Sequence, residues 1–349
     1  MRSVISKARW LVPLALGATL LASACSSSGS KTTATTSAPA TSAAPTGSST
    51  PSAKALKVAL ILPSAKNDMS FSQSMYDALQ GLKDKFNLTI SVTDNAFVVQ
   101  DAANAIRQYA SQGYNLVIAH GSQYGSTLQQ LASQFPKVSF AWGTAGSTFN
   151  QPNIFAYQIA ANEGAYVQGY IGALISKSHT LGMIGPINVG DGQLYADGFK
   201  AGALAADPKA NVRTTFTGSF SDVSLMANAA KAFIAGGADI LTGSAQAVVG
   251  AIGVAKTSNV AWFGNDADQA TLAPQQVVSS NVYDWTGILT QMFTAIDSGT
   301  LGGASYTATL GNGGMKVVFN SGYTIPSDVK AKAQDVIDKI TSGALTVPQ

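Results

Sequence analysis

Short runs of Val, Ile, Leu and Ala alternate with helix-like segments along most of this chain, and that alternation limits the fold more than any other feature. The first run, "ALKVALIL" (55–62), reads as a buried parallel strand. A helix is expected over 70–86. Then come "LTISVT", a helix over 100–112, "NLVIAH", a helix near 128–135, and "VSFAW". Strand and helix joined by short connections are the pattern of a doubly wound α/β layer. The series then repeats. "TLGMIG" precedes a helix over 194–206, "NVRTTF" one over 224–235, "ADILTG" one over 247–257, and "VAWFG" closes it. Two such units in tandem predict an α/β protein with two Rossmann-like lobes and a cleft between them. "QQVVSSNVYD" reads as a strand returning across a hinge. A helix is expected over 284–297, a further crossing near 306–319 around "GNGG", and a last helix over 327–342. The expected division is 55–160 with about 281–310 in the N-terminal lobe, and 161–280 with about 318–349 in the C-terminal lobe, joined by a multi-strand hinge.

The first 54 residues differ in character. Arg2, Lys7 and Arg9 precede an apolar run, 10–21, that holds no acid. A positive start, an apolar centre and small residues before a cut describe a secretory signal peptide over 1–24. The run is shorter than the roughly 20 residues that a membrane span needs. Cys25 is the only cysteine, so it has no internal disulfide partner, and it follows the small residues Ala22, Ser23 and Ala24. That pattern reads as a bacterial lipobox, with Cys25 lipidated and holding an extracytoplasmic protein on the cell membrane. Ala22 stands where lipoboxes more often carry Leu. Residues 26–54 are Ser, Thr, Ala and Pro with almost no large apolar side chain, which predicts a disordered tether. As a coil it spans about 30 Å.

Charge excludes one class of partner. Three of the 21 Lys and Arg lie in the signal region, and the remaining 18 equal the 18 Asp and Glu. A nucleic-acid surface needs clustered Lys and Arg to displace counterions, and this chain has no such cluster.

Ligands of open α/β sheets bind beyond the carboxyl ends of the strands. After the first strand stand Asp68, Ser70, Phe71 and Gln73; after the third, His120, Ser122, Gln123 and Tyr124; after the fourth, Trp142. The second lobe supplies Asp191 and Gly192, then Ser244 and Gln246, then Asn265, Asp266, Asp268 and Gln269. Aromatic rings, amides, hydroxyls and carboxylates with little Lys or Arg suit a flat, polar, unphosphorylated heterocycle. Several of these residues have a second reading. Phe71 either stacks on a ligand or staples its own helix. Asp68 caps that helix, contacts ligand, or does both. Tyr124 and Trp142 stand at the cleft or at the edge of the core. Ser122 and Ser244 contact ligand or simply pack. Asp266 contacts ligand or shapes a turn, and Trp285 contacts ligand or packs the hinge helix.

"NDMSFSQSMYDAL" resembles the D-x-S-F-N-Q signature of the basic membrane protein family of solute-binding lipoproteins. "NEGAYVQGYIGALISKSHTLGMIG", "ADGFKAGALAADP", "FSDVSLMANAAKAFIAGGADIL" and "GNDADQATLAPQQVVSS" resemble its later blocks, in the same order. The resemblance covers about 57–339. It implies a type I periplasmic-binding-protein fold, a purine nucleoside as ligand, and an ABC importer whose permease receives it. It also implies that Phe71 stacks on the base, that Asp68 and Gln73 flank it, and that Asp266 takes ribose hydroxyls. Two positions depart: Ser72 replaces the usual Asn, and Tyr283 stands where nucleoside-binding members tend to carry Lys near the sugar. Tyr283 and Trp285 are therefore expected to form an aromatic box that admits a free base or a related heterocycle.

Catalytic patterns are missing. There are two His, no H-E-x-x-H, and no G-x-x-x-x-G-K loop. "GSQYG" has its Ser one position early for a nucleophile elbow. With Cys25 assigned to lipidation, no Cys ligand set is left for a metal. The expectation is a monomeric binding protein with no cofactor and no metal. The alternatives are a sensor of the same fold that signals to a membrane receptor, or a nucleoside-processing enzyme.

Overall fold

The computed structural model describes residues 55–349; the expected signal peptide, Cys25 and the tether lie outside the described residues. In chain order the first lobe's elements are β1 (Leu56–Ile61), α1 (Phe71–Gly81), β2 (Leu88–Thr93), α2 (Val99–Ser111), β3 (Leu116–His120), α3 (Gly125–Gln134), β4 (Ser139–Gly143) and β5 (Ile154–Ile159). There follow α4 (Ala161–Ile175), β6 (Thr180–Gly185), α5 (Gly190–Ala206), β7 (Asn211–Phe216), α6 (Val223–Ala235), β8 (Ile240–Gly243), α7 (Val249–Ser258), β9 (Ala261–Gly264) and β10 (Val277–Tyr283). The chain ends through α8 (Thr286–Asp297), β11 (Ser305–Ala308), β12 (Met315–Phe319) and α9 (Ser327–Thr341).

The two sheets repeat one plan. The first runs β11-β5-β4-β3-β1-β2 and the second β12-β10-β9-β8-β6-β7. All pairings are parallel except β10 with β12. Strand β1 shows why these segments become central strands. Val58 and Leu60 pack with Met75 and Leu79 of α1, while Ala59 and Ile61 pack with Ala102 and Ile106 of α2. With both faces covered, every other residue cannot be polar, so the run is continuously apolar. The order reverses beside β1 and β3 in one sheet and beside β6 and β8 in the other. Such switch points open a crevice at the strands' carboxyl ends.

Three passages join the sheets: between β5 and α4, between β10 and α8, and between β11 and β12. They are laced together. The Leu310 N–H donates to Glu163 Oε2 at 2.7 Å, the Asp284 N–H to the Gly314 carbonyl at 2.9 Å, and Lys316 Nζ meets Asp284 Oδ2 at 2.8 Å. Among the described residues no helix is long and apolar enough to cross a membrane.

Some boundaries differ from the sequence reading. Helix α1 stops at Gly81 rather than 86, because the next residues close into turns such as Leu82 N–H to Leu79 O. Strand β5 was not foreseen; it follows β4 through a loop without a helix and so breaks the alternation. Helix α5 begins at Gly190, not 194, which brings Asp191 into its first turn. Strand β10 stays paired to β12 through Tyr283 and Met315, so the second passage comes after 283 rather than at 281.

Helices α4 and α5 approach so closely that a Cβ at Gly202 would collide with the Tyr166 carbonyl, and one at Gly198 with that of Asn162. Gly202→Ala is therefore expected to lower the melting temperature, although alanine favours a helix by about 1 kcal/mol. Gly253→Ala in α7, where nothing lies within 4 Å, is the control and should be neutral or stabilising. Thermal melts of the two variants check this.

Candidate functional site

Asp68 organises the near wall. Its Oδ1 accepts from the backbone N–H of Ser70 and Gln73 at 2.9 and 3.1 Å. Its Oδ2 accepts from Ser72 N–H at 3.2 Å and Ser64 Oγ–H at 2.6 Å. The first N–H groups of a helix have no partner inside it, and a carboxylate here satisfies them. Asp68 is thus fully engaged as a cap, and what it delivers is Ser70 and Phe71 at the mouth of α1. Gln73 turns away: its Oε1 accepts from Met69 N–H at 3.0 Å, and it lines a second recess with Asp77 and Lys316.

Phe71 is the outer member of a ring stack. His120 lies against it at 3.8 Å and 8°, and Tyr157 lies behind His120 at 5.8 Å and 10°. His120 Nε2 is 3.2 Å from the Phe71 carbonyl, which can only accept, so Nε2 carries the proton. Nδ1 then accepts from the Tyr157 hydroxyl at 2.8 Å. Burial pulls the His120 pKa down to about 3, so the ring is neutral. Trp285 stands edge-on to Phe71, His120, Tyr157 and Tyr283, and its indole N–H donates to Ser74 Oγ at 2.9 Å. One face of Phe71 is therefore occupied, and a stacked ligand has only the other.

The far wall comes from the second sheet. Asp266, in the loop after β9, holds φ at 71°, a conformation uncommon outside glycine. Its carboxylate accepts from Ser70 Oγ–H at 2.5 Å, a bond that joins the two lobes, and from Asn265 Nδ2–H at 2.8 Å. Asn265 Nδ2 also faces the Tyr283 hydroxyl at 3.0 Å and Ser244 Oγ at 3.3 Å. Burial raises the Asp266 pKa to about 7; the Ser70 bond opposes this and the Asp68 charge adds to it. Asp191 also rises to about 7, through burial first and then the Asp266 charge. Asp191 is half-buried and lines the cavity. Tyr283 lies well above the usual tyrosine range, chiefly through burial.

Between the walls is a cavity of about 280 Å³. Of the expected site residues, Phe71, Ser122, Ser244, Asp266 and Tyr283 line it. Ser70 is buried behind Asp266. Trp285 is fully buried behind Phe71, so it backs the ring wall and does not close an aromatic box with Tyr283. Tyr124 is core; its hydroxyl donates to the Ala96 carbonyl at 2.8 Å because its ring points to α2. Trp142 stacks on Phe149 at 4.7 Å and donates to the Ser122 carbonyl at 3.3 Å, so it steadies a cavity residue without lining the cavity.

Sequence reasoning passed over several lining residues. Phe97 and Phe220 meet across the mouth from opposite lobes, 6.0 Å apart. They sit in loops after β2 and β7, where an aromatic before a helix was the available signal. Gln123, Gln246 and Asp191 also line the cavity. The sequence places all three beyond strand ends without singling them out as contacts, and it sets the helix start at 194, which leaves Asp191 in a loop.

Two doubly wound lobes linked by three passages, with a small cavity where their strand ends face each other, define a solute-binding protein of the type I periplasmic fold. The chain belongs to the Bmp family, ABC transporter substrate-binding proteins described as PnrA-like, whose profile matches residues 55–349. A protein named purine-binding protein from Brucella abortus is 29% identical over 295 residues, covering 83% of this chain and 82% of the relative. An ABC transporter nucleoside-binding protein of Lactococcus lactis is 27% identical over 318 residues, covering 84% and 89%. In fold, the chain is similar to an ABC transporter solute-binding protein from Conexibacter woesei, with TM-score 0.70, 23% identity, and coverage of 84% of this chain and 98% of that one. The family's description is that of substrate-binding proteins of ABC transporters.

The raised carboxylates make stability depend on pH. Below the ordinary carboxylate range Asp191 is protonated folded or unfolded, and burial costs nothing extra. Between about pH 4 and its folded pKa near 7 the unfolded chain loses the proton first, so stability falls as pH rises. Asp191→Asn is expected to raise the melting temperature at pH 8 and to leave it unchanged at pH 4. Paired melts at the two pH values check the sign.

Proposed function

We propose that this protein is an extracytoplasmic lipoprotein that captures a purine nucleoside or related nucleobase in the cleft and delivers it to an ABC importer. The observation that carries the proposal is the free face of Phe71, backed by His120 and Tyr157, opposite a wall of hydrogen-bonding groups. A flat heterocycle stacks on such a face and pairs its edge with such groups. The cavity lies near the small end of the ~300–1,000 Å³ usual for ligand sites, which suits a ligand of this size. The names of the Brucella and Lactococcus relatives support the same class. Tyr283, where family members tend to carry Lys, is held by Asn265 and leaves the sugar end without a cation. That favours a base or a modified heterocycle over a plain riboside.

Capture works by closure. A ligand held between Phe71 and Asp266 stabilises the state in which the lobes meet, because only there does it touch both walls. Lipidated Cys25 keeps the protein at the membrane, and the permease reopens it. The protein purified from cells without added ligand should release a heterocycle on denaturation, identifiable by native mass spectrometry. Phe71→Ala should weaken binding of that compound by about 1–3 kcal/mol, the value of one ring stacked on a base. Calorimetric titration reads this directly, and an unchanged affinity removes Phe71 from the site.

A further inference from the structure

We propose that the cleft selects a flat heterocycle carrying a cationic nitrogen group, which Asp191 and Asp266 clasp together. This rests on the reading of the cleft as a heterocycle site. Among the described residues, Asp191 and Asp266 are the only charged ones that line the cavity, and no Lys, Arg or His does. They arrive from separate elements, Asp191 on the first turn of α5 and Asp266 on the loop after β9. Around them stand Asp68 before α1, which adds a further negative charge at Asp266, and the neutral hydroxyl of Tyr283 at the end of β10.

The acceptors in the cavity outnumber what the protein offers them. Asp266 is held by Ser70 and Asn265. Among the described residues none donates a hydrogen bond to the Asp191 carboxylate. Gln246, another lining residue, has its Oε1 buried with no partner. The N-terminal end of α5 offsets part of the Asp191 charge. It does not offset two carboxylates that line one cavity without a cation. Such a pair keeps a proton or takes up a counter-cation. A neutral ligand can donate hydrogen bonds to these acceptors but leaves the shared proton in place. A cationic nitrogen group with N–H donors replaces the proton and gives the Asp191 carboxylate the donor that the described residues do not supply. Binding of the cation near neutral pH then drives up to one proton into solvent; no other bond is made or broken.

The test uses two isomers: 1-methyladenosine, cationic at neutral pH, and N6-methyladenosine, which has the same added methyl without the charge. Titration calorimetry of the purified protein in buffers of different ionisation heat reads affinity and proton release together. The expected result is that the cationic isomer binds at least about tenfold more tightly and releases protons, whereas the neutral isomer releases none. Asp191→Asn should collapse that ratio and abolish the release. Circular dichroism and the Phe71→Ala variant, which should weaken both isomers alike, separate a lost clasp from a misfolded protein. Equal binding of the isomers, or a preference that survives Asp191→Asn, overturns the inference and leaves the proposed function standing. Binding of neither isomer overturns the inference as well, unless the heterocycle recovered from the purified protein is itself cationic at neutral pH and loses affinity in Asp191→Asn; if no heterocycle is recovered, the proposed function falls with it.

Discussion

One carboxylate sets the geometry of the cleft. Asp68 binds three backbone N–H groups and the Ser64 hydroxyl, and in doing so fixes the first turn of α1. That turn puts Ser70 within reach of Asp266 and lays Phe71 on His120. The interlobe bond and the ring wall both follow from this cap. Loss of a helix cap costs about 1 kcal/mol in an ordinary helix. Here the same loss would also free the two residues by which the first lobe meets the second.

The hinge shows the same economy of parts. Glu163, Asp284 and Lys316 each sit at a passage between the sheets, and each is bonded to a neighbouring passage. The Asp284 carboxylate stays below the ordinary range although burial alone would raise it, because Lys316 and Thr286 donate to it. Ties of this kind let the lobes move about the passages without separating them.

Much of the fold was legible in the chain because parallel strands covered on both faces must be continuously apolar. "NLVIAH" and "TLGMIG" could be little else, and β3 and β6 are buried throughout. Strand β5 was hidden because no helix precedes it. Five of the expected contact residues line the cavity, since position beyond a strand end is itself a constraint. Direction is not. Tyr124 lies just beyond β3 and Trp142 near the end of β4, yet each turns into packing, a matter of side-chain rotation that no local pattern encodes. Asp191 also stands beyond a strand end in the sequence, but only the cavity shows that its carboxylate has no hydrogen-bond donor among the described residues. His120 is legible in the sequence only as a residue at a strand end, and its part in the ring stack needs β3, β5 and α1 brought together.

The ring stack has a kinetic meaning. Phe71, His120 and Tyr157 all belong to elements of the first sheet, with Trp285 behind them, whereas Asp191 and Asp266 belong to the second. On the proposed function, a flat ligand would lodge on the open first lobe before the second arrives. The encounter rate then depends on a rigid, uncharged surface that needs no rearrangement, and the dwell time depends on the lobe that closes over it. Capture and retention become separately adjustable, so changes in the second lobe can retune which ligands stay without altering how fast they land.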